Sequence, residues 1–196
     1  MVVTTAYMDA GPWTIAELMA LPEDGHRYEL VDGRLIMNPP PSPQHQGLSL
    51  ALARLLQDAA DATGVAVRVL EAVGLRCDEQ LLIPDVVVVD AYSPSLNKPL
   101  LTKEDVHCAI EIVSAGSRAQ DRGEKPYLYA EAGIPHYWRV ETANYRGRKH
   151  ALPVVVRYEL VVIAEYAIKH TNGAGETLRA DEPIPVEFDP ATLTPF

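Results

Sequence analysis

The sequence predicts a single α/β domain of the α+β type, built around a mixed sheet, and two observations support this prediction. Short apolar segments of strand length are interspersed with a few stretches of helical periodicity, as expected for a sheet with helices packed on it. The 196 residues contain no internal repeat and no change of composition that would mark a second domain. We therefore treat residues 1–196 as one domain.

The N-terminal region has clear local signals. Thr14 followed three residues later by Glu17 is a capping-box pattern and predicts a short helix. The dipeptide Asp32-Gly33 lies between two short apolar runs, residues 28–31 and 34–37, and predicts a β-hairpin.

A long helix is predicted after a proline-rich connection at residues 38–43. Ser42 is a favoured N-cap residue, Pro43 suits the first helical position and Gly64 suits the C-terminal cap. Between these residues, leucine and alanine recur at helical spacing, which makes this the clearest helix of the chain.

The rest of the chain is predicted to be mainly β-structure. A helical stretch is expected near residues 117–132 and a polar loop at residues 91–105. The predicted strands and hairpin region cover residues 65–70, 82–89, 107–113, 137–140 and 153–166.

Charge and cysteine content limit the function classes. The chain has 17 basic and 27 acidic side chains, a net charge of −10, which argues against binding nucleic acid through bulk charge. Residues 118–149 carry seven basic and four acidic side chains, which suits either an anionic substrate on one face or a solvated surface. Only Cys77 and Cys108 are present, and no secretory signal or membrane span is visible. We expect a cytoplasmic protein with no membrane partner.

Two acids interrupt apolar strands. Asp85 follows Pro84 and opens the run Val86–Val89, and Glu111 lies within residues 109–113. A buried ion costs several kcal/mol unless it is paired or bound to a metal. On neighbouring strands, with carboxylates roughly 4–6 Å apart, the two acids would suit Mg²⁺ or Mn²⁺. Taken separately, each acid is more simply explained as a salt-bridged or surface-facing carboxylate.

Lys125 lies four residues after Asp121, so the two side chains share one helical face. They could belong to a site or form an ordinary surface ion pair. Because Pro126 disfavours the α conformation at Lys125, we expect the helix either to kink there or to begin at Pro126. The second case would place Lys125 at a helix N-terminus, where phosphate binds well.

These residues resemble the PD-(D/E)xK phosphodiesterase core and, more narrowly, the restriction endonuclease family of the Uma-two type. The matching segments follow the family order: Tyr28-Glu29-Leu30-Val31-Asp32-Gly33, Ser42-Pro43 with His45, Glu111-Ile112-Val113-Ser114, Asp121 through Lys125 to Tyr129, and Ala132-Gly133-Ile134-Pro135-His136-Tyr137-Trp138. They place a nuclease-like core at residues 12–141 and leave residues 142–196 as a β-rich C-terminal extension. The resemblance implies a restriction-endonuclease-like fold and metal-dependent hydrolysis of nucleic acid, with DNA favoured.

The resemblance also implies a metal centre. Asp85 and Glu111 would ligate Mg²⁺ or Mn²⁺, assisted by the main-chain carbonyl of Ile112. Glu29, from the first hairpin, would complete or orient the metal shell. All four residues are therefore candidate ligands.

The remaining catalytic assignments follow from the same likeness. The superfamily lysine usually lies two residues after the glutamate, but that position is Val113 here, so the role passes to Lys125 with Asp121 in support. His45 matches a family histidine and is either a catalytic residue or a histidine on the helix surface.

Three departures from the family pattern bear on substrate fit. Residues 114–117 read Ser-Ala-Gly-Ser where relatives more often have Ser-Pro-Ser. His136 stands where relatives commonly have an acid, and Glu141 replaces a frequent aspartate. None of these changes removes a predicted ligand.

The basic turn and the absence of other catalytic motifs bear on partners and on alternative functions. The basic turn at residues 144–150 is expected to be exposed, with Arg146, Arg148 and Lys149 either contacting nucleic acid or only solvated. No phosphate-binding glycine loop, zinc-type histidine pair or nucleophile elbow is present in the sequence. The alternative function is a catalytically silent nuclease-fold module that binds nucleic acid or regulates, and a homodimer is left open.

Overall fold

The computed structural model describes residues 6–8, 12–114, 116–162 and 164–194, which form two six-stranded sheets, a two-stranded ribbon and three α-helices. The helices are α1 (Ile15–Met19), α2 (Pro43–Thr63) and α3 (Lys125–Glu131). Short 3₁₀ turns occur at Pro94–Asn97, Lys103–Asp105 and Pro190–Leu193. No helix in this part of the chain is long and apolar enough to cross a membrane.

The strands of each sheet are given in spatial order. The first sheet contains β1 (Ala6–Met8), β3 (Arg34–Asn38), β2 (Arg27–Val31), β6 (Gln80–Leu82), β5 (Leu75–Cys77) and β8 (Leu101–Thr102). The second contains β12 (Glu165–Gly173), β11 (Val154–Val162), β10 (His136–Glu141), β9 (Val106–Val113), β7 (Val86–Asp90) and β4 (Val67–Glu71). The ribbon pairs β13 (Leu178–Ala180) with β14 (Val186–Phe188). In the second sheet β9 and β10 are parallel and the other pairs antiparallel, so the predicted mixed sheet is confirmed.

The local signals of the N-terminal region are confirmed. Thr14 and Glu17 form the capping box of α1. Asp32 and Gly33 adopt φ angles of 49° and 72°, the left-handed conformation that a tight hairpin turn requires. The long helix α2 has its predicted N-cap, because the Ser42 side chain accepts a hydrogen bond from the backbone of the first turn.

The central strands of the second sheet are covered on both faces. On one face α2 packs against alternate residues of β7 and β9, including Val86, Val88 and Ile110. On the other face Tyr129 of α3 packs in the cluster that contains Val87. Burial on both sides explains why β7 is uniformly apolar.

The expected single strand at residues 82–89 is wrong. The segment contains the end of β6 and most of β7, and these strands belong to different sheets. Pro84 cannot donate to a strand ladder, and the backbone N–H of Ile83 donates to Glu29 Oε1 at 2.7 Å. The chain therefore changes sheets immediately before Asp85. The polar loop expected at residues 91–105 is also interrupted, by β8.

Lys125 adopts the α conformation that Pro126 is expected to disfavour, and the helix is irregular just before this residue. Lys125 has φ −61° and ψ −44°, and α3 continues directly from a π-helical turn at Gln120–Glu124. In a π-turn the N–H of residue 126 would bond to the carbonyl of Asp121, but proline has no N–H. The Tyr137 hydroxyl donates to that carbonyl at 2.7 Å instead. A tertiary contact thus satisfies the carbonyl that the irregular turn leaves without a backbone partner.

The C-terminal segment continues the second sheet. The predicted hairpin is present as β11 and β12 and extends further, to Gly173. Strand β11 pairs along the whole of β10.

Candidate active site

A cavity of about 350 Å³ lies between residues of both sheets, the start of α2 and the segment that leads into α3. Five predicted site residues line it: His45, Asp85, Glu111, Asp121 and Lys125. They come from separate parts of the sequence, and the fold brings them together at this cavity.

Asp85 and Glu111 face each other across neighbouring strands. Val86 is paired with Ile110 in the antiparallel ladder, so Asp85, one residue earlier, comes level with Glu111. Asp85 Oδ2 accepts a hydrogen bond from the backbone N–H of Ile112 at 2.8 Å. This bond fixes the aspartate beside the strand that carries the glutamate.

Lys125 is buried at the centre of an acidic cluster. Its Nζ lies 3.0 Å from Glu29 Oε1, 3.0 Å from Glu111 Oε1 and 4.0 Å from Asp121 Oδ1. Burial acts to lower the pKa of Lys125, but the carboxylates of Glu111 and Glu29 raise that pKa well above its usual value. The ammonium therefore keeps its charge inside the protein.

Glu29 is 1% exposed and both of its oxygens are engaged. Oε1 accepts from the Ile83 backbone and contacts Lys125, and Oε2 accepts from Asn38 Nδ2 at 2.9 Å. This geometry suits an acid that orients Lys125 better than one that ligates a cation directly.

Tyr129 belongs to the cluster, although no role is predicted for it beyond its place in a matching segment. Its hydroxyl donates to Glu111 Oε1 at 2.7 Å, the same oxygen that Lys125 contacts. Glu111 Oε2 accepts no hydrogen bond from the described residues. The spacing of four residues between Lys125 and Tyr129 was the available signal, since it places both on one face of α3.

Asp121 is the least satisfied acid of the cluster. It is 1% exposed, and neither carboxylate oxygen accepts a hydrogen bond from the described residues. Burial raises the pKa of Asp121 to about 6, with Lys125 acting in the opposite direction. Burial likewise raises the pKa of Glu111, again against the effect of Lys125.

His45 faces the cavity rather than the helix surface. Its Nε2 lies 3.1 Å from the carbonyl oxygen of Ile112 and 3.2 Å from Asp85 Oδ2. Burial acts to lower the pKa of His45, but the hydrogen bond and charge of Asp85 raise it overall. The Ile112 carbonyl, predicted to assist a cation, therefore already has a partner in this structure.

The oxygens of the cavity fit a hard divalent cation. No three His, Cys, Asp or Glu side chains among the described residues form a ready-made metal cage. Mg²⁺, however, is usually held by one or two carboxylates, with water and substrate phosphate completing its shell. Asp85 Oδ1, Glu111 Oε2 and both Asp121 oxygens accept no hydrogen bond from the described part of the chain. This oxygen-only set matches that requirement.

The basic turn is exposed, as expected, at Arg146, Arg148 and Lys149. These three residues do not line the cavity. Arg122 links the turn to β10: it donates to Glu141 Oε1 at 2.9 Å and Oε2 at 2.6 Å, and its guanidinium lies 5.3 Å from the ring centroid of Tyr145.

Comparison with known proteins gives a family and a fold. The family model described as "Uma2: Putative restriction endonuclease" matches residues 15–194, so the match extends past residue 141 into the C-terminal segment. The chain is also similar to the crystal structure of "a putative nuclease belonging to DUF820" from Anabaena variabilis ATCC 29413, with a TM-score of 0.68. The two chains are 16% identical, over 93% of this chain and 98% of the other, a likeness that shows the fold alone. No curated protein matches the chain.

Proposed function

The chain belongs to the Uma2 restriction endonuclease family, and from that membership we propose that it is a metal-dependent phosphodiesterase acting on nucleic acid, with DNA favoured over RNA. One observation carries the metal dependence. Glu29, Glu111 and Asp121 surround a single lysine, so this buried cluster of described side chains has more carboxylates than cations, and Asp85 lies beside it. A divalent cation would correct this imbalance.

In this proposal Asp85 and Glu111 hold the cation. Mg²⁺ or Mn²⁺, when bound, would polarise a phosphoryl oxygen and lower the pKa of a water molecule. Hydrogen bonds to Asp85 Oδ2 and Glu111 Oε1 fix the two carboxylates and leave their other oxygens without a donor among the described residues. The Ile112 carbonyl, which contacts His45, could join them through its second lone pair.

Lys125 supplies positive charge next to the cation-binding oxygens. An ammonium has three donors, and Glu29 and Glu111 account for two of them. The third can meet a water molecule or a phosphate oxygen, where it would orient the nucleophile or offset charge that develops on phosphorus. Glu29 holds the lysine in place, and His45 orients Asp85.

The exposed basic turn is the proposed contact with the nucleic-acid backbone. Arg146, Arg148 and Lys149 lie outside the cavity and can approach phosphates beyond the one that is cleaved. We keep the cytoplasm as the proposed compartment because Cys77 and Cys108 are both buried free thiols. Dimerisation stays a prediction.

A nuclease assay tests the proposal. The substrates are plasmid DNA, single-stranded DNA and RNA, each with Mg²⁺ or Mn²⁺ and with a chelator. We expect cation-dependent cleavage by the native chain, loss of cleavage in Asp85→Ala, and full activity in the control Asp58→Asn, whose side chain is exposed on α2. Nucleic-acid binding without cleavage of any substrate would favour the silent module, which the net charge of −10 also fits.

A further inference from the structure

The cavity has a second wall that the proposed chemistry does not use. This wall contains Arg27, Asn38 and the three prolines at 39–41. His45 and Lys125, the other basic residues that line the cavity, are already held by carboxylates. The Arg27 guanidinium makes no hydrogen bond or ion pair with the described residues and is exposed. It is therefore available for an anion that enters the cavity.

Strand geometry fixes the position of Arg27 relative to the acidic cluster. Arg27 and Glu29 are two residues apart on β2, so their side chains leave the same face of the strand. Their backbone positions are about 7 Å apart at the rise of an extended strand. Glu29 points inward to Lys125, whereas Arg27 lies at the solvent-facing rim. An anion bound by Arg27 would thus lie next to a group bound at the acidic cluster, at a separation of about 7 Å.

The prolines give this wall a rigid apolar surface. Residues 39–41 have no backbone N–H to offer, and their rings fix the φ angles. Ala72 and Ile83 also line the cavity. A volume of about 350 Å³ is near the lower end of the range for small-molecule sites, roughly 300–1,000 Å³. The space suits one nucleotide and does not admit a segment of duplex.

We propose that Arg27 and the wall at residues 39–41 form a subsite for one unpaired nucleotide next to the phosphate that is cleaved. Arg27 binds the neighbouring phosphate, and the sugar and base lie against the prolines. This inference rests on the proposed function, because it takes the acidic cluster as the place of cleavage. A paired base would have to leave its stack at a cost of a few kcal/mol. The substrate class is therefore single-stranded or locally unpaired nucleic acid.

Binding measurements test the subsite. Fluorescence anisotropy with a labelled oligothymidylate and with a duplex of equal length, in Ca²⁺, compares the native chain with Arg27→Ala. We expect the native chain to bind the single strand about tenfold more tightly than the duplex, and Arg27→Ala to lose about tenfold on the single strand alone, the scale of one charged contact. Arg54→Ala removes an exposed arginine of α2 that does not line the cavity, and it should leave both affinities nearly unchanged.

Two results would overturn the subsite: equal binding of single strand and duplex by the native chain, or equal losses in Arg27→Ala and Arg54→Ala. Cleavage of both oligonucleotides in Mn²⁺, followed in parallel, reports separately on the proposed function. Equal cleavage of the single strand and the duplex would contradict the proposed subsite and support the proposed nuclease function. An Arg27-dependent preference for binding the single strand, without cleavage of either oligonucleotide, would support the subsite and contradict the nuclease function.

Discussion

Two buried glutamates on neighbouring parallel strands have opposite charge surroundings. Glu141, at the end of β10, is 0% exposed and meets two arginines: Arg122 through two hydrogen bonds and Arg139, whose Nε lies 3.0 Å from Oε1. Glu111 on β9 is 2% exposed and shares the single cation Lys125 with other acids. The charge of Glu141 is therefore balanced by its two arginines, whereas Lys125 alone does not balance the charges of Glu111 and the other acids.

The difference shows that burial alone does not identify a functional acid. Glu141 does not line the cavity and has more positive than negative charge beside it, which is the arrangement of a structural ion pair. Glu111 lines the cavity, and burial, opposed by Lys125, raises its pKa. An acid that lines a cavity, and whose negative charge is not balanced by neighbouring cations, is the better candidate for binding a cation.

Lys125→Ala should have the largest effect, because Lys125 is the only lysine or arginine of the described residues that contacts Glu29 and Glu111. We expect loss of cleavage and a decrease in the free energy of unfolding of about 3–5 kcal/mol, the usual cost of leaving buried charges unpaired. Mn²⁺ should restore part of this stability by replacing the lost charge. Lys125→Arg should also fail to cleave, since a planar guanidinium replaces a compact ammonium. Cleavage assays and urea denaturation with and without Mn²⁺ provide the readouts.

The matched control is Lys98→Ala, which removes an exposed lysine outside the cavity and should change neither stability nor cleavage. Full turnover by Lys125→Ala would show that Lys125 has only a structural role.

Replacing each glutamate by the neutral glutamine should have effects of different size. Glu141→Gln leaves Arg122 and Arg139 without their carboxylate and should lower the free energy of unfolding by about 3 kcal/mol. Glu111→Gln keeps an acceptor for Tyr129 and reduces the excess negative charge, so it should change stability by less than about 1 kcal/mol. Urea denaturation without metal ions measures both. Equal destabilisation by the two variants would contradict the difference in charge balance.

The basic turn should have the smallest effect. Replacing Arg146, Arg148 and Lys149 together with alanine should weaken single-strand binding and reduce the slope of log affinity against log salt by about 2, or about 0.7 for each lost phosphate contact. Arg54→Ala is again the control, with at most a small effect expected. Titrations at several salt concentrations measure the slope, and an unchanged slope would mean that the turn is only solvated.

Features that require a particular local backbone conformation could be predicted from the sequence. The hairpin at Asp32-Gly33 and the cap at Ser42 each require particular residue types at one or two positions, so the sequence marks them directly. Asp85 and Glu111 could be identified from the sequence as candidate site residues for a related reason. Each is a charged residue next to or within an apolar run, and a buried charge needs a partner.

Features that depend on distant contacts could not be predicted. The Asp121 carbonyl is satisfied by the Tyr137 hydroxyl, which replaces the N–H that Pro126 lacks. The contact of Tyr129 with Glu111 depends on how α3 packs against β9. Such contacts join residues that are separated in the sequence, so a local pattern can place Tyr129 beside Lys125 but cannot identify Glu111 as its partner.

The central claim is that the uncompensated acids of the cavity bind a divalent cation, and calorimetric titration with Mn²⁺ tests it most directly. The native chain should bind Mn²⁺, Glu111→Gln should lose at least about tenfold in affinity because it removes one carboxylate ligand, and Asp58→Asn should bind as the native chain does. Glu111→Gln should remain folded, so a loss of affinity would report on the site itself. Absence of Mn²⁺ binding by the native chain, or equal affinities in the two variants, would contradict the claim.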